Sequence, residues 1–408
     1  MKSDIDRLME KRGLEALLIV GDESVNMLRV YMTNGAEVTG GYVLKKRGSP
    51  AVMIVNAMEV AEAAKSGLEV FTYYDLGWAE LLEELKGDQA QASLIFFGRM
   101  LQKFNVPAGK IGVYGEGAIH RFIDLIEKVN TASPTYQFVG ENGMTIFDEA
   151  FQTKDADELL RIRSVAARTS QVLKLTWDFI ASHHAEGDQV VDAEGTPLTV
   201  GAVKRFVRRT LLDYDLEDSH MIFAPGREGG FPHSRGESDA VLKVGEPIVF
   251  DLFPREIGGG YFHDTTRTWS IQYAKPEVQK AYDLVYNAFE VAVDTFRPNM
   301  PAKAMQEAVQ SYFEENGHPT TRSHPGTTVG YMHSLGHGVG LEIHEYPRIG
   351  HLSTDTLAPG NVITIEPGLY YPDQGFGMRL EDTLYVNERG ELVTLTDFPK
   401  DLILPLRG

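Results

Sequence analysis

Twice in the second half of this chain, an apolar run ends on an acid, passes a reversal rich in glycine and proline, and returns carrying a second acid. In the first, Pro247-Ile248-Val249-Phe250-Asp251 leads through Pro254 and Gly258-Gly259-Gly260 to Tyr261-Phe262-His263-Asp264-Thr265-Thr266-Arg267-Thr268. In the second, Val362-Ile363-Thr364-Ile365-Glu366 leads through Pro367, Gly368, Pro372, Gly375 and Gly377 to Met378-Arg379-Leu380-Glu381-Asp382-Thr383. Each reads as a hairpin that sets two carboxylates side by side. Two like charges that close resist joint ionisation unless a cation sits between them. A single pair of acids flanking a glycine turn is most often structural. Four carboxylates converging on one place, however, call for about two divalent cations.

The chain contains no cysteine, so oxygen and imidazole are the donors left for a metal. The imidazoles are at hand. In Tyr331-Met332-His333-Ser334-Leu335-Gly336-His337-Gly338-Val339-Gly340 two histidines stand four apart. On a helix that spacing would suggest zinc. Three glycines make a continuous helix improbable, and a turn or loop presenting imidazoles is the better expectation. His344-Glu345 follows, and His233 lies upstream in Phe231-Pro232-His233-Ser234. Taken singly, each histidine is more often a surface or core residue than a ligand. As a set beside strand-ending acids they point to function.

The rest of the chain supplies the frame. A length of 408 residues favours two domains. Residues 1–153 alternate strand-like runs (14–20, 51–55, 111–114) with helical periodicity (58–65, 78–85, 119–129), which predicts an α/β domain. No Gly-rich nucleotide motif accompanies it. From residue 154 to 408 we expect an α+β domain. An amphipathic helix is predicted over 155–182, with further helices near 200–214, 276–296 and 302–315. Strands are expected at 247–252, 260–271, 362–367, 378–387 and 391–395. The formal charge of −19 argues against nucleic acid. No apolar stretch reaches membrane-spanning length and no signal-peptide pattern opens the chain, so a cytoplasmic protein is the expectation.

With these residues in view, the chain resembles the pita-bread metallopeptidases, the group of Xaa-Pro aminopeptidase, prolidase and methionine aminopeptidase. The order Asp251, Asp264, His337, Glu366, Glu381 carries the resemblance. So do the phrases Asp264-Thr265-Thr266-Arg267-Thr268, His337-Gly338-Val339-Gly340-Leu341, His344-Glu345, Thr364-Ile365-Glu366-Pro367-Gly368 and Arg379-Leu380-Glu381-Asp382-Thr383, which are close to the Xaa-Pro branch. The chain departs from the usual pattern in one hairpin. Asp251 and Asp264 are two residues further apart than is usual, and Phe253-Pro254 replaces a glycine. An even insertion leaves side-chain facing unchanged.

The resemblance implies a creatinase/aminopeptidase-like catalytic domain behind a leading α/β domain, and a homodimer. It implies Asp251 on one metal, Asp264 and Glu381 bridging both, and His337 and Glu366 on the second. His233, His333 and His344 match histidines around the substrate, with Glu366 as proton shuttle and His344 at the scissile carbonyl. Arg379 matches an arginine that supports the aspartate equivalent to Asp251. Arg348 matches one that meets a dipeptide's carboxylate in some prolidases. The implied reaction is hydrolysis of the amide bond before proline in a small peptide. A hard donor set favours Mn²⁺, then Co²⁺ or Fe²⁺, with Zn²⁺ less natural. A creatinase-like hydrolase or a silent scaffold would share the fold but tends to lose ligands that are all present here; a lyase built on the same fold is a further alternative.

Overall fold

The computed structural model describes residues 1–21 and 26–407, and they divide into two compact units. One comprises residues 1–150 with 258–260, the other 151–257 with 261–408.

In the first unit, β1 (Leu14–Val20) is an almost unbroken apolar run, which suits a strand covered on both faces. It lies inside a six-stranded sheet with β2 (Tyr42–Lys46), β3 (Ala51–Val55), β4 (Glu69–Thr72), β5 (Gly109–Gly115) and β6 (Tyr136–Val139), in the order β4-β3-β2-β1-β5-β6. The pairing is mixed: β1 runs antiparallel to β2 and parallel to β5. Two helices, α1 (Gln89–Lys103) and α2 (Ile119–Ala132), flank it, and Phe96, Phe97, Met100 and Leu101 of α1 enter its core. The run 58–65, periodic enough to predict one helix, is instead a single α turn, Val60–Ala63, between 3-10 turns. Gly67 then stops it at φ +74°.

The second unit opens with α3 (Ala156–Ala181), started by a capping box between Asp155 and Glu158. After α4 (Val200–Asp213) come β7 (Ile222–Pro225), β8 (Pro247–Leu252) and β9 (Thr265–Ile271), then α5 (Pro276–Thr295) and α6 (Lys303–Glu315). Apart from three short two-stranded ribbons, the other strands are β10 (Gly336–Gly338), β11 (Glu345–Ile349), β12 (Val362–Ile365), β13 (Gly368–Tyr371), β14 (Phe376–Arg379), β15 (Asp382–Val386), β16 (Leu392–Thr394) and β17 (Ile403–Leu404). They form a four-stranded sheet, β7-β8-β9-β17, a five-stranded sheet, β11-β10-β12-β15-β16, and the hairpin β13-β14. Val285, Phe289, Met305, Val309 and Phe313 of α5 and α6 share one apolar core with Ile363, Ile365, Leu369, Met378 and Leu380. The second domain is α+β, as expected. Among the described residues no helix is long and apolar enough to cross a membrane.

The first acid hairpin is a continuous antiparallel ladder, from Pro247 opposite Ser270 to Leu252 opposite Thr265. The second is interrupted. β12 pairs with β15 and β13 with β14, but residues 366–367 and 380–381 fall between the two ladders. The strand expected over 378–387 is therefore two strands. At the break, Glu381 leaves its own hairpin and bridges to Thr266 of the other.

Candidate metal centre

That bridge is made largely by threonines. Thr266 and Glu381 exchange backbone hydrogen bonds, N to O 3.3 and 3.0 Å. Thr266 Oγ1 also donates to Glu381 Oε2 at 2.7 Å, and Thr265 Oγ1 to the Glu381 carbonyl at 3.0 Å. From the other side, Thr383 Oγ1 donates to the Asp264 carbonyl at 2.7 Å and accepts its N–H at 3.2 Å. Beneath them the fully buried pair Arg267–Asp382 (2.8 Å) adds an Arg267 Nη1 hydrogen bond to the Glu381 carbonyl, also 2.8 Å. β-Branched hydroxyl residues suit this place, since they favour strands and still supply a donor.

His337 is carried by a strand rather than the expected loop. The glycines on either side do not break the strand; they let it fit. A Cβ on Gly336 would lie 2.1 Å from the Thr364 carbonyl, and one on Gly338 2.2 Å from that of Tyr346. β10 is thus wedged between β11 and β12. Glu366 follows β12, its N–H donating to the Leu335 carbonyl at 2.8 Å.

The charges thus assembled do not balance on their own. One ligand atom each from Asp264, His337 and Glu381 lies within 4.8 Å of the others. The His337 ring meets the Gly338 carbonyl through Nδ1 at 3.1 Å, which leaves Nε2 facing Asp264 Oδ2 at 3.6 Å and Glu366 Oε1 at 3.5 Å. Burial holds His337 down at about 3, so the ring is neutral and aims a lone pair at two carboxylates. Burial and the neighbouring acids raise Asp264 and Glu381 well above the carboxylate range, and burial pushes Glu366 up to about 8. Asp251 Oδ1 and Asp264 Oδ1 are buried without a hydrogen-bond partner. Acceptors crowded together with fewer donors than they need are what a hard divalent cation satisfies, so these residues fit a metal.

Asp251 differs from the other acids in having its own counter-charge. Arg379 Nη2 donates to Asp251 Oδ2 at 2.7 Å, Nε to Thr266 Oγ1 at 3.2 Å, and Nη1 to the Tyr370 hydroxyl at 2.9 Å. Tyr370 also meets His333 Nε2 at 2.9 Å, while His333 Nδ1 lies 2.7 Å from the Ser334 carbonyl. A carbonyl can only accept, so His333 carries its proton on Nδ1 and Tyr370 donates to Nε2. Burial keeps that ring neutral, near 4. Both its nitrogens are engaged, so it lines the cavity without a proton to offer.

All ten residues singled out above, Asp251, Asp264, His337, Glu366, Glu381, His233, His333, His344, Arg348 and Arg379, line one cavity of about 350 Å³. The His344 ring stands edge-on to His337, centroids 4.4 Å apart. Arg348 Nη2 donates to the His344 carbonyl at 2.9 Å, so part of its guanidinium is committed within the protein. His233 stands exposed at the rim. Sequence reading missed Tyr370 and Gln306. Gln306 Oε1 accepts the Leu335 N–H at 2.6 Å and the Tyr331 hydroxyl at 3.1 Å, holding the segment that carries His333. Tyr370, two residues past Pro367-Gly368, could have been flagged as a polar residue in an apolar strand. For Gln306, in the first turn of the amphipathic helix α6, no local signal exists.

The model of metallopeptidase family M24 matches residues 161–388. A Xaa-Pro dipeptidase of Pyrococcus furiosus is 37% identical over 172 residues, which cover 41% of this chain and 45% of the relative. The alignment thus spans less than half of that relative's length. A Xaa-Pro dipeptidase of Pyrococcus horikoshii is 27% identical over 410 residues, 98% of this chain and 97% of the relative. Among solved structures, an X-Pro aminopeptidase from Thermotoga maritima superposes with a TM-score of 0.77 at 21% identity, covering 98% and 100% of the two chains. At that identity the likeness is one of fold.

Proposed function

Since the chain belongs to metallopeptidase family M24, we propose that it is a two-metal peptidase hydrolysing the amide bond before proline in short peptides. The observation that carries this reading is the meeting of four carboxylates with the lone pair of a neutral His337, two of the carboxylate oxygens being buried and unpartnered. Asp251 would serve one cation, Asp264 and Glu381 both, and His337 and Glu366 the second, with Mn²⁺ best matched to so oxygen-rich a set. When bound, the cations supply the Lewis acidity that makes a nucleophile of water near neutral pH and offsets charge developing on the scissile carbonyl.

The protein's own groups do the rest. Glu366, placed directly after β12 and lining the cavity, takes the proton from the attacking water at a carboxylate oxygen and passes it to the leaving nitrogen. The His344 ring N–H, on the same cavity wall, donates to the developing oxyanion. Burial, with Arg348 nearby, lowers the His344 pKa, so the imidazole donates as a neutral group. Arg379 orients Asp251 through its hydrogen bond, and the ring of His333 shapes the wall where a proline would sit. The free part of the Arg348 guanidinium meets the peptide's carboxylate. We carry over from the family a homodimer and a cytoplasmic setting as parts of the same proposal.

Metal analysis paired with a peptide-length panel tests this reading. We expect about two Mn²⁺ per chain and cleavage of Xaa-Pro dipeptides and of longer peptides with proline second. Activity that survives complete chelation would remove the two-metal hydrolase from consideration. Cleavage confined to the longer peptides would remove the carboxylate role of Arg348 and leave the rest standing.

A further inference from the structure

Outside the centre, the pair of side chains least explained by it is Lys154 and Glu345. They are 191 positions apart, 1% and 2% exposed, and joined at 2.6 Å between Nζ and Oε2. A buried ion pair is rarely worth more to stability than apolar groups of the same volume, so what it holds in place is the informative question. Glu345 is enclosed by the turn that leads to it. Its Oε1 accepts the Glu342 N–H at 3.1 Å, and the Gly340 N–H donates to the Glu342 carbonyl at 3.1 Å. A Cβ on Gly340 would lie 2.5 Å from both Glu345 oxygens, so the turn is folded around the carboxylate. The residue this turn presents is His344. Lys154 is itself fixed: its N–H donates to the Gly360 carbonyl at 2.9 Å and its Nζ to the Phe151 carbonyl. Next to it, Asn361 Nδ2 donates to the Gln152 carbonyl at 2.7 Å. Both backbone anchors lie just ahead of β12, the strand that runs into Glu366.

We propose that Lys154 is a positioning residue for His344, its ion pair with Glu345 tying the His344 turn to the strand that leads to Glu366. The inference rests on His344 acting at the substrate, as proposed above. Displacing an acting group by about 1 Å is enough to reduce turnover on the order of 10²-fold. Lys154→Met leaves a buried carboxylate unpaired, so it lowers both Tm and kcat. Lys154→Met/Glu345→Leu removes both charges and separates the two effects. We expect Tm to return close to wild type, and kcat to stay at least tenfold down with KM within about twofold and metal content unchanged. Recovery of both Tm and kcat in the double variant would show the pair to be a stability element and overturn the proposal. So would an unchanged kcat in Lys154→Met. His344→Ala, measured beside them, separates the two levels. If it keeps wild-type kcat, the reading of His344 falls and Lys154 with it. If it loses activity while the double variant does not, only Lys154 is refuted.

Discussion

The two acid hairpins look alike in sequence and are built differently. In β8–β9 the ladder runs unbroken to its end, and Asp251 sits in register opposite Thr266. In the second the ladder is cut where the acids lie, and Glu381 is held by Thr266 of the first hairpin rather than by its own. The charges divide along another line. Asp251 is paired with Arg379, whereas Asp264 and Glu381 meet hydroxyls, backbone groups and each other's negative field. A carboxylate with a guanidinium is stable before any cation arrives; a carboxylate among carboxylates is not. One side of the centre is preformed and the other is completed by its cargo.

The harshest test of that division is Asp264→Ala. It removes the acid that faces both hairpins, and we expect kcat/KM to fall by roughly 10³-fold or more, about 4 kcal/mol of transition-state stabilisation. Metal content measured on the same sample should fall with it. Full activity in this variant would contradict any bridging role.

Next comes the stability of chelated protein. Asp251→Asn strips Arg379 of its buried partner, and breaking such a pair costs on the order of 3 kcal/mol. Asp264→Asn removes a repelled charge and should raise Tm, by more at pH 8 than at pH 5. Thermal scans of the two variants must therefore move in opposite directions at pH 8. If both fall, the paired and unpaired acids are not distinct.

The wild-type pH dependence follows from the same groups. Burial raises Glu366 from its ordinary 4.5 to about 8, and Asp264 and Glu381 move the same way. The folded chelated chain thus holds protons that the unfolded chain has released. Its stability should fall as pH rises from about 4.5 to about 8, the sign opposite to that of a salt-bridged carboxylate. Metal binding near pH 7 should release protons, visible as buffer-dependent heats in calorimetry. A flat Tm across that range would sink the account.

What could be read beforehand divides on similar lines. β8 and β12 announce themselves as short apolar runs ending in acids, because alternation and turn residues are local signals. The break at residues 380–381 does not announce itself. Leu380 donates to the Pro367 carbonyl and Glu381 to Thr266, and that choice of partner is made by hydroxyls more than a hundred positions away. The glycines beside His337 were legible as glycines but ambiguous in effect. Loop freedom and close strand approach ask for the same residue, and only the packing of β10 against Thr364 and Tyr346 decides between them. The tautomer of His333 was equally out of reach, since it is set by the approach of Nδ1 to the Ser334 carbonyl, which leaves Nε2 to the Tyr370 hydroxyl.

Tyr370→Phe is the mildest probe, and it asks whether the paired side of the centre extends beyond Asp251. The hydroxyl accepts from Arg379 and donates to His333, so removing it leaves two buried groups each short of one partner. Arg379 keeps Asp251, Thr266 and the Pro232 carbonyl, which should hold metal content near wild type. His333 keeps only Ser334, and its ring gains freedom to turn. We therefore expect a Tm loss of about 1 to 3 kcal/mol in equivalent stability, with KM for Xaa-Pro peptides raised several-fold and kcat within about threefold, since the tyrosine orients a wall and moves no proton. A fall in kcat with KM unchanged would place Tyr370 in the chemistry instead. A loss of metal would show that the Arg379–Asp251 pair is not self-sufficient, and the contrast between the two sides of the centre would have to be redrawn.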